Sequence, residues 1–79
     1  MSIIVYSKPN CVQCEQAKYL LTENHLDFEV REIGDQWTRE HLLEMIPTAR
    51  SVPQIIINDV IVGGLDSLKT YLKEHNDRT

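Results

Sequence analysis

The spacing of apolar residues changes period several times along this chain. Ile3, Ile4, Val5 and Tyr6 form an unbroken apolar, largely β-branched run, the pattern of a strand covered on both faces. Pro9 and Asn10 interrupt it, and over residues 12–24 Ala17, Leu20 and Leu21 recur at helical spacing among Glu, Gln and Lys. Over 27–33 the period shortens again. Phe28, Val30 and Glu32 alternate with Glu29, Arg31 and Ile33, which predicts a strand buried mainly on one face. Gly34 and Asp35 punctuate, and a second helix is predicted over 38–46, with Thr38 as N-cap, Trp37 stapled against Leu42, and Pro47 as the stop. Two β-branched runs, 54–57 and 60–62, flank Asn58 and Asp59, residues that tolerate the positive φ of a tight hairpin. Beyond Gly63 and Gly64, the spacing of Leu68, Tyr71 and Leu72 predicts a last helix beginning near Asp66, followed by a polar tail over 75–79 that is expected to fray.

The order is therefore strand, helix, strand, helix, strand, strand, helix. A right-handed crossover makes the first two strands parallel, and the hairpin makes the last two antiparallel. This predicts an α/β fold of the thioredoxin-like kind, βαβαββα, with a four-stranded mixed sheet and helices on both faces. At 79 residues, 42% of them hydrophobic, the chain suffices for one modest core, so residues 1–79 are expected to form a single domain.

Charge narrows the partners. Twelve acids against eight bases give a net charge of −4, spread over both halves with no basic stripe, which argues against nucleic acid. The apolar runs fall far below the ~20 residues of a membrane span, and no secretory leader pattern opens the chain. A soluble, cytoplasmic protein without a membrane partner is expected.

The chemistry concentrates in "SKPNCVQCEQAKYLL", where Cys11 and Cys14 stand at the strand-to-helix junction. Two cysteines cannot build the multi-bridge framework of small secreted domains, and a bridge closing so short a loop adds little stability. A structural zinc site wants four ligands, and His25, His41 and His75 are not spaced as a ligand pair. Soft Cu(I) suits two thiolates, so a copper carrier stays open as an alternative. The catalytic reading rests on electrostatics: thiol exchange needs a thiolate, and a helix N-terminus with Lys8 nearby favours one at Cys11. Cys11 is then the nucleophile and Cys14 the resolving thiol.

Two further segments, "SVPQIIIND" over 51–59 and "VGGLDSL" over 62–68, join the C-x-x-C pair at distances that resemble the glutaredoxins, a similarity running from Ile3 to about Leu72. The resemblance implies a thiol–disulfide oxidoreductase with glutathione as reducing co-substrate, no tightly bound cofactor and no metal. It also implies a cis Pro53 facing the reactive cysteine, so that the Val52 backbone pairs with a peptide-like substrate as a short strand would. Carried across residue by residue, Lys8 meets the glycine carboxylate, Gln13 lies between the cysteines at the site, and Gly64, Leu65, Asp66 and Ser67 receive the γ-glutamyl end. Gln36 and Arg39 are further candidates for the carboxylate. Disulfide-containing proteins, ribonucleotide reductase among them, are the implied clients of a monomer. The chain departs from the commonest dithiol motif in having Val12 and Gln13 between its cysteines, and Ser67 where a second acid is usual. "CVQC" is similar to the motif of redoxins reduced by thioredoxin reductase, which gives a second enzymatic alternative, and some glutaredoxins carry an iron–sulfur cluster with glutathione.

Overall fold

The computed structural model describes residues 1–34 and 36–76. Strand β1 (Ile3–Ser7) is followed by helix α1 (Val12–Glu23), β2 (Glu29–Glu32), α2 (Arg39–Met45), β3 (Gln54–Ile57), β4 (Val60–Gly63) and α3 (Leu65–Asn76). The strands form one mixed sheet in the order β2-β1-β3-β4. β1 and β2 run parallel, with Val5 opposite Val30 and Tyr6 opposite Arg31, while β3 is antiparallel to both β1 and β4. The expected α/β, thioredoxin-like arrangement is the one observed.

Side chains alternate across β1, and that alternation sorts the core into two layers. Ile3 and Val5 join Ala17, Leu21, Ile55, Ile57, Leu65, Leu68 and Leu72 beneath α1 and α3. Ile4 and Tyr6 point the other way, where Tyr6 is buried with Leu42, Ile46 and Ile56 beneath α2.

Helix α1 ends in a reciprocal capping pattern. Leu26 N–H donates to the Leu21 carbonyl at 3.0 Å and His25 N–H to that of Thr22 at 3.0 Å, with His25 in the left-handed region at φ 58°. Leu26 then packs on the layer that contains Leu21, so the chain leaves the helix toward β2 with its apolar side inward. The hairpin between β3 and β4 turns on Asn58 and Asp59, at φ 51° and 66°, as their chemistry predicts. Its tip is latched to the start of the chain, since Asn58 N–H donates to the Ser2 carbonyl at 2.7 Å and Ser2 N–H to Asn58 Oδ1 at 2.9 Å.

The sequence expectations are corrected at β2 and extended at Trp37. β2 is shorter than 27–33 and is not buried on one face: it is an edge strand, so Val30 remains 40% exposed, while Phe28 packs on one layer and Ile33 on the other. Trp37 is more than a staple for its own helix. Its ring stands edge-on to Tyr6 and His41, and the Arg31 guanidinium lies 4.3 Å from its centre, which ties β1, β2 and α2 together. α3 starts at Leu65, beside Asp66 as expected, and its C-terminal turn includes His75, stacked on Tyr71 at 3.9 Å between ring centres. The rest of the tail expected to fray, 77–79, lies outside the described residues.

Candidate active site

The turn at Pro9 and Asn10 aims α1. Asn10 adopts φ 59°, which its short polar side chain tolerates, and Cys11 follows in an extended conformation as the N-cap. In that position a side-chain oxygen ordinarily accepts from one of the unpaired N–H groups of the first turn. Here a sulfur does so: Cys11 Sγ accepts from Cys14 N–H at 3.1 Å. Cys14 itself is fully buried, Cys11 is half-buried, and the two sulfurs are joined as a disulfide, with Cα atoms 5.2 Å apart.

Three separate segments meet at this bond. From the loop before β3, the Val52 carbonyl oxygen lies 4.0 Å from Cys11 Sγ. The Val52–Pro53 peptide is cis, as the resemblance implies, and Pro53 is buried while Val52 is half-buried. Among the described residues the Val52 N–H has no hydrogen-bond partner. From the start of α3, Gly64 lies beside that loop, since a Cβ there would stand in ordinary van der Waals contact with the Pro53 carbonyl oxygen at 3.5 Å. A shift of register between β3 and β4 at Ile55/Ile56, with Gly63 at φ +117°, turns the chain out of the sheet at this point.

Gly64 caps α3, because its carbonyl accepts the first helical bond, from Leu68 N–H at 2.9 Å. Leu65, Asp66 and Ser67 then supply the first-turn N–H groups that lack helical partners. The Leu65 side chain belongs to the core, so only its backbone faces the site, whereas the side chains of Asp66 and Ser67 are exposed.

On the other side of Val52 a groove of about 170 Å³ runs toward α2, lined by Lys8, Ile33, Arg39, Leu42, Leu43, Ala49, Arg50, Ser51 and Val52. The fold thus brings Lys8 and Val52 together, and Arg39 with them; Gln36 is exposed and does not line the groove. Gln13 is exposed on the first turn of α1 and makes no side-chain hydrogen bond among the described residues. Sequence reasoning missed Arg50, although its place two residues before Val52, on the same loop, was a usable signal. It also missed Ser7, fully buried at the end of β1, whose hydroxyl has no partner among the described residues.

No group of three or more His, Cys, Asp or Glu side chains among the described residues is placed to hold a metal ion. No helix among them is long and apolar enough to cross a membrane.

A C-x-x-C disulfide at the start of the first helix of this mixed sheet defines a class, the thioredoxin-like proteins that work on thiols and disulfides. Comparison with known proteins narrows it. The sequence profile of the glutaredoxin family matches residues 3–62. Glutaredoxin 1 of Rickettsia felis is 35% identical over 75 residues, a match covering 92% of this chain and 74% of that protein. Among solved structures, glutaredoxin 1 from Francisella tularensis, crystallised with cacodylate, superposes with a TM-score of 0.81 at 25% identity and covers 96% of each chain. A buckwheat glutaredoxin–glutathione complex superposes with a TM-score of 0.76 at 26% identity, covering 96% of this chain and 70% of that one. The chain belongs to the glutaredoxin family, and its activity is thiol–disulfide oxidoreduction.

Proposed function

We propose that the protein is a dithiol glutaredoxin that reduces protein disulfides or glutathione mixed disulfides at the expense of glutathione, with Cys11 as nucleophile and Cys14 as resolving thiol. One observation carries this reading: Cys11 Sγ occupies the capping position of α1 and accepts the Cys14 N–H at 3.1 Å, while Cys14 is buried behind it. A sulfur held there gains most from that hydrogen bond and from the positive end of the helix when it is ionised.

In the forward direction the Cys11 thiolate attacks one sulfur of a client disulfide. A mixed disulfide forms, and the other client sulfur leaves as a thiolate that takes up a proton. Cys14, after losing its proton, attacks Cys11 Sγ, closes the intramolecular bridge and expels the second client thiolate. Two electrons have passed to the client. Two glutathione molecules return them in the same two steps and leave as glutathione disulfide.

The glutathione site follows the same geometry. Lys8, in the groove, serves the glycine carboxylate; the unpaired Val52 N–H and the carbonyl beside it serve the cysteinyl backbone, with Pro53 holding that loop. The first-turn N–H groups at Leu65, Asp66 and Ser67 receive the γ-glutamyl carboxylate, Gly64 brings that turn beside the Pro53 loop, and Asp66 accepts from the amino group. Gln13 forms the exposed rim between the cysteines. The glutathione complex of the buckwheat glutaredoxin supports this assignment by analogy. Ribonucleotide reductase stands as a client by resemblance alone, and a cytoplasmic monomer is the form proposed.

Two measurements decide. Cys14→Ser should accumulate a glutathione mixed disulfide on Cys11, seen by mass spectrometry, and absence of that adduct would remove the glutathione site. Turnover of the unaltered protein with glutathione should exceed turnover with thioredoxin reductase; the reverse order would make it a redoxin of the other kind.

A further inference from the structure

On a chain with twelve acids and eight bases, three of the eight bases converge on one groove. Lys8 comes from the loop after β1, Arg39 from the first residue of α2, and Arg50 from the loop before β3. All three are exposed, and among the described residues none of them makes an ion pair and no acid lines the groove with them. Elsewhere Lys18 is paired with Glu15 at 3.0 Å and Arg31 with Glu29 at 2.7 Å, while Lys69 and Lys73 stand singly along α3, so what sets the three bases apart is their gathering in one groove. Between the three charges the floor is apolar, made by Ile33, Leu42, Leu43 and Ala49.

Glutathione presents one carboxylate to this end of the site, where Lys8 meets it and Arg39 is a further candidate. Three cations facing one carboxylate leave surplus positive charge, set along a groove whose near end is Val52, with its carbonyl oxygen 4.0 Å from Cys11 Sγ. Like charges gathered without counter-ions repel one another and are relieved when anionic groups arrive.

We infer that this groove selects protein clients with acidic side chains at the first two positions after the cysteine that is attacked. The polarity rests on the glutathione reading: the glycine carboxylate that follows the cysteinyl unit lies toward Lys8, so a protein chain paired with Val52 in the same sense runs its following residues into the groove. The two arginines supply planar, forked donors for carboxylates, and the apolar floor receives the methylenes of Glu or Asp side chains.

The test uses the reduced, full-length protein and short peptides whose single cysteine is held as a mixed disulfide with a chromogenic thiol. Four versions follow the cysteine with two Asp, two Asn or two Lys, or place the two Asp before it. Reduction is followed by stopped flow at low and high salt. The Asp-after peptide should react about threefold to fivefold faster than the Asn peptide, as a few partly exposed charge contacts allow, and the Lys peptide more slowly than either. The advantage should shrink as salt screens it. In Arg50→Gln the Asp-to-Asn ratio, measured within the one variant, should fall toward one.

Equal rates for Asp and Asn peptides in the unaltered protein would overturn the inference, as would a ratio that Arg50→Gln leaves intact. An advantage for Asp placed before the cysteine would overturn the assigned polarity. Failure of the glutathione reading has a separate signature, since the Cys14→Ser adduct would then be missing while the acidic preference was still measured.

Discussion

On one face of the sheet, nine buried apolar residues from β1, β3, α1 and α3 meet with no ionisable group in the cluster. On the other, four buried residues, Tyr6, Leu42, Ile46 and Ile56, are extended by a polar aromatic joint. There the Arg31 guanidinium lies 4.3 Å from the Trp37 ring centre and 5.6 Å from that of Tyr6, and donates to the Tyr6 hydroxyl at 2.9 Å. The difference follows from what each face carries. α1, with twelve residues, must hold its first turn still because Cys11 and Cys14 are on it, and packing between α1, α3 and the sheet does so. α2 has only seven residues and covers less of its face, which leaves room for the cationic groove.

Truncating the thicker layer should cost most. Leu21→Ala is expected to lose about 4 kcal/mol and Leu42→Ala about 2–3 kcal/mol, within the range for buried Leu deletions. Urea unfolding of the oxidised proteins measures both, and equal costs would break the contrast between the faces.

Arg31→Met keeps the stem over Trp37 but removes the charge and the donor to the Tyr6 hydroxyl. A loss of about 2 kcal/mol is expected, from the cation–π contact and the orphaned hydroxyl together. The Arg31 pKa is raised from its ordinary value, chiefly by the hydrogen bond to Glu29, with burial opposing. A raised cationic pKa contributes stability that is present below the unfolded value and is lost only as pH rises through the folded one. That window is strongly alkaline. The difference between the two proteins should therefore stay flat from about pH 6 to about pH 9, and a slope across that range would mean that another group had been disturbed.

Smaller effects sharpen the picture at single atoms. α2 is capped twice over, by Thr38 Oγ1 accepting from His41 N–H at 3.2 Å and by Thr38 N–H donating to His41 Nδ1 at 2.9 Å. Thr38→Ala should cost about 1 kcal/mol. Ser7 follows Ile3 and Val5 in phase, so its hydroxyl, unpartnered among the described residues, points to the apolar face. Ser7→Ala removes a buried group with no bond to lose, and thermal unfolding should show a change between zero and about +1 kcal/mol of stability. A clear loss would mean that the hydroxyl has a partner in solution.

Much of this was legible in the residues. The unbroken run at Ile3 to Tyr6 marked the central strand, the periodicity of Ala17, Leu20 and Leu21 marked α1, and Asn58 with Asp59 marked the hairpin, because these signals are local and each has a local cause. What failed to be read was relational. Val30 looks like a buried strand residue until β2 is known to be the sheet's edge. Trp37 looks like a staple for α2 until Arg31 is seen above it.

The division at the site has the same origin. Sequence by itself determined the element order, the sulfur pair at a helix start and the short motifs around Val52 and Gly64, since each depends on neighbours within a few positions. Only the tertiary structure decided that Cys11 Sγ would lie 4.0 Å from the Val52 carbonyl oxygen, and that Lys8, Arg39 and Arg50 would share one groove. Those juxtapositions join loops separated by tens of residues, and no local pattern encodes them: they follow from how the sheet twists and from which helix the core has room to hold.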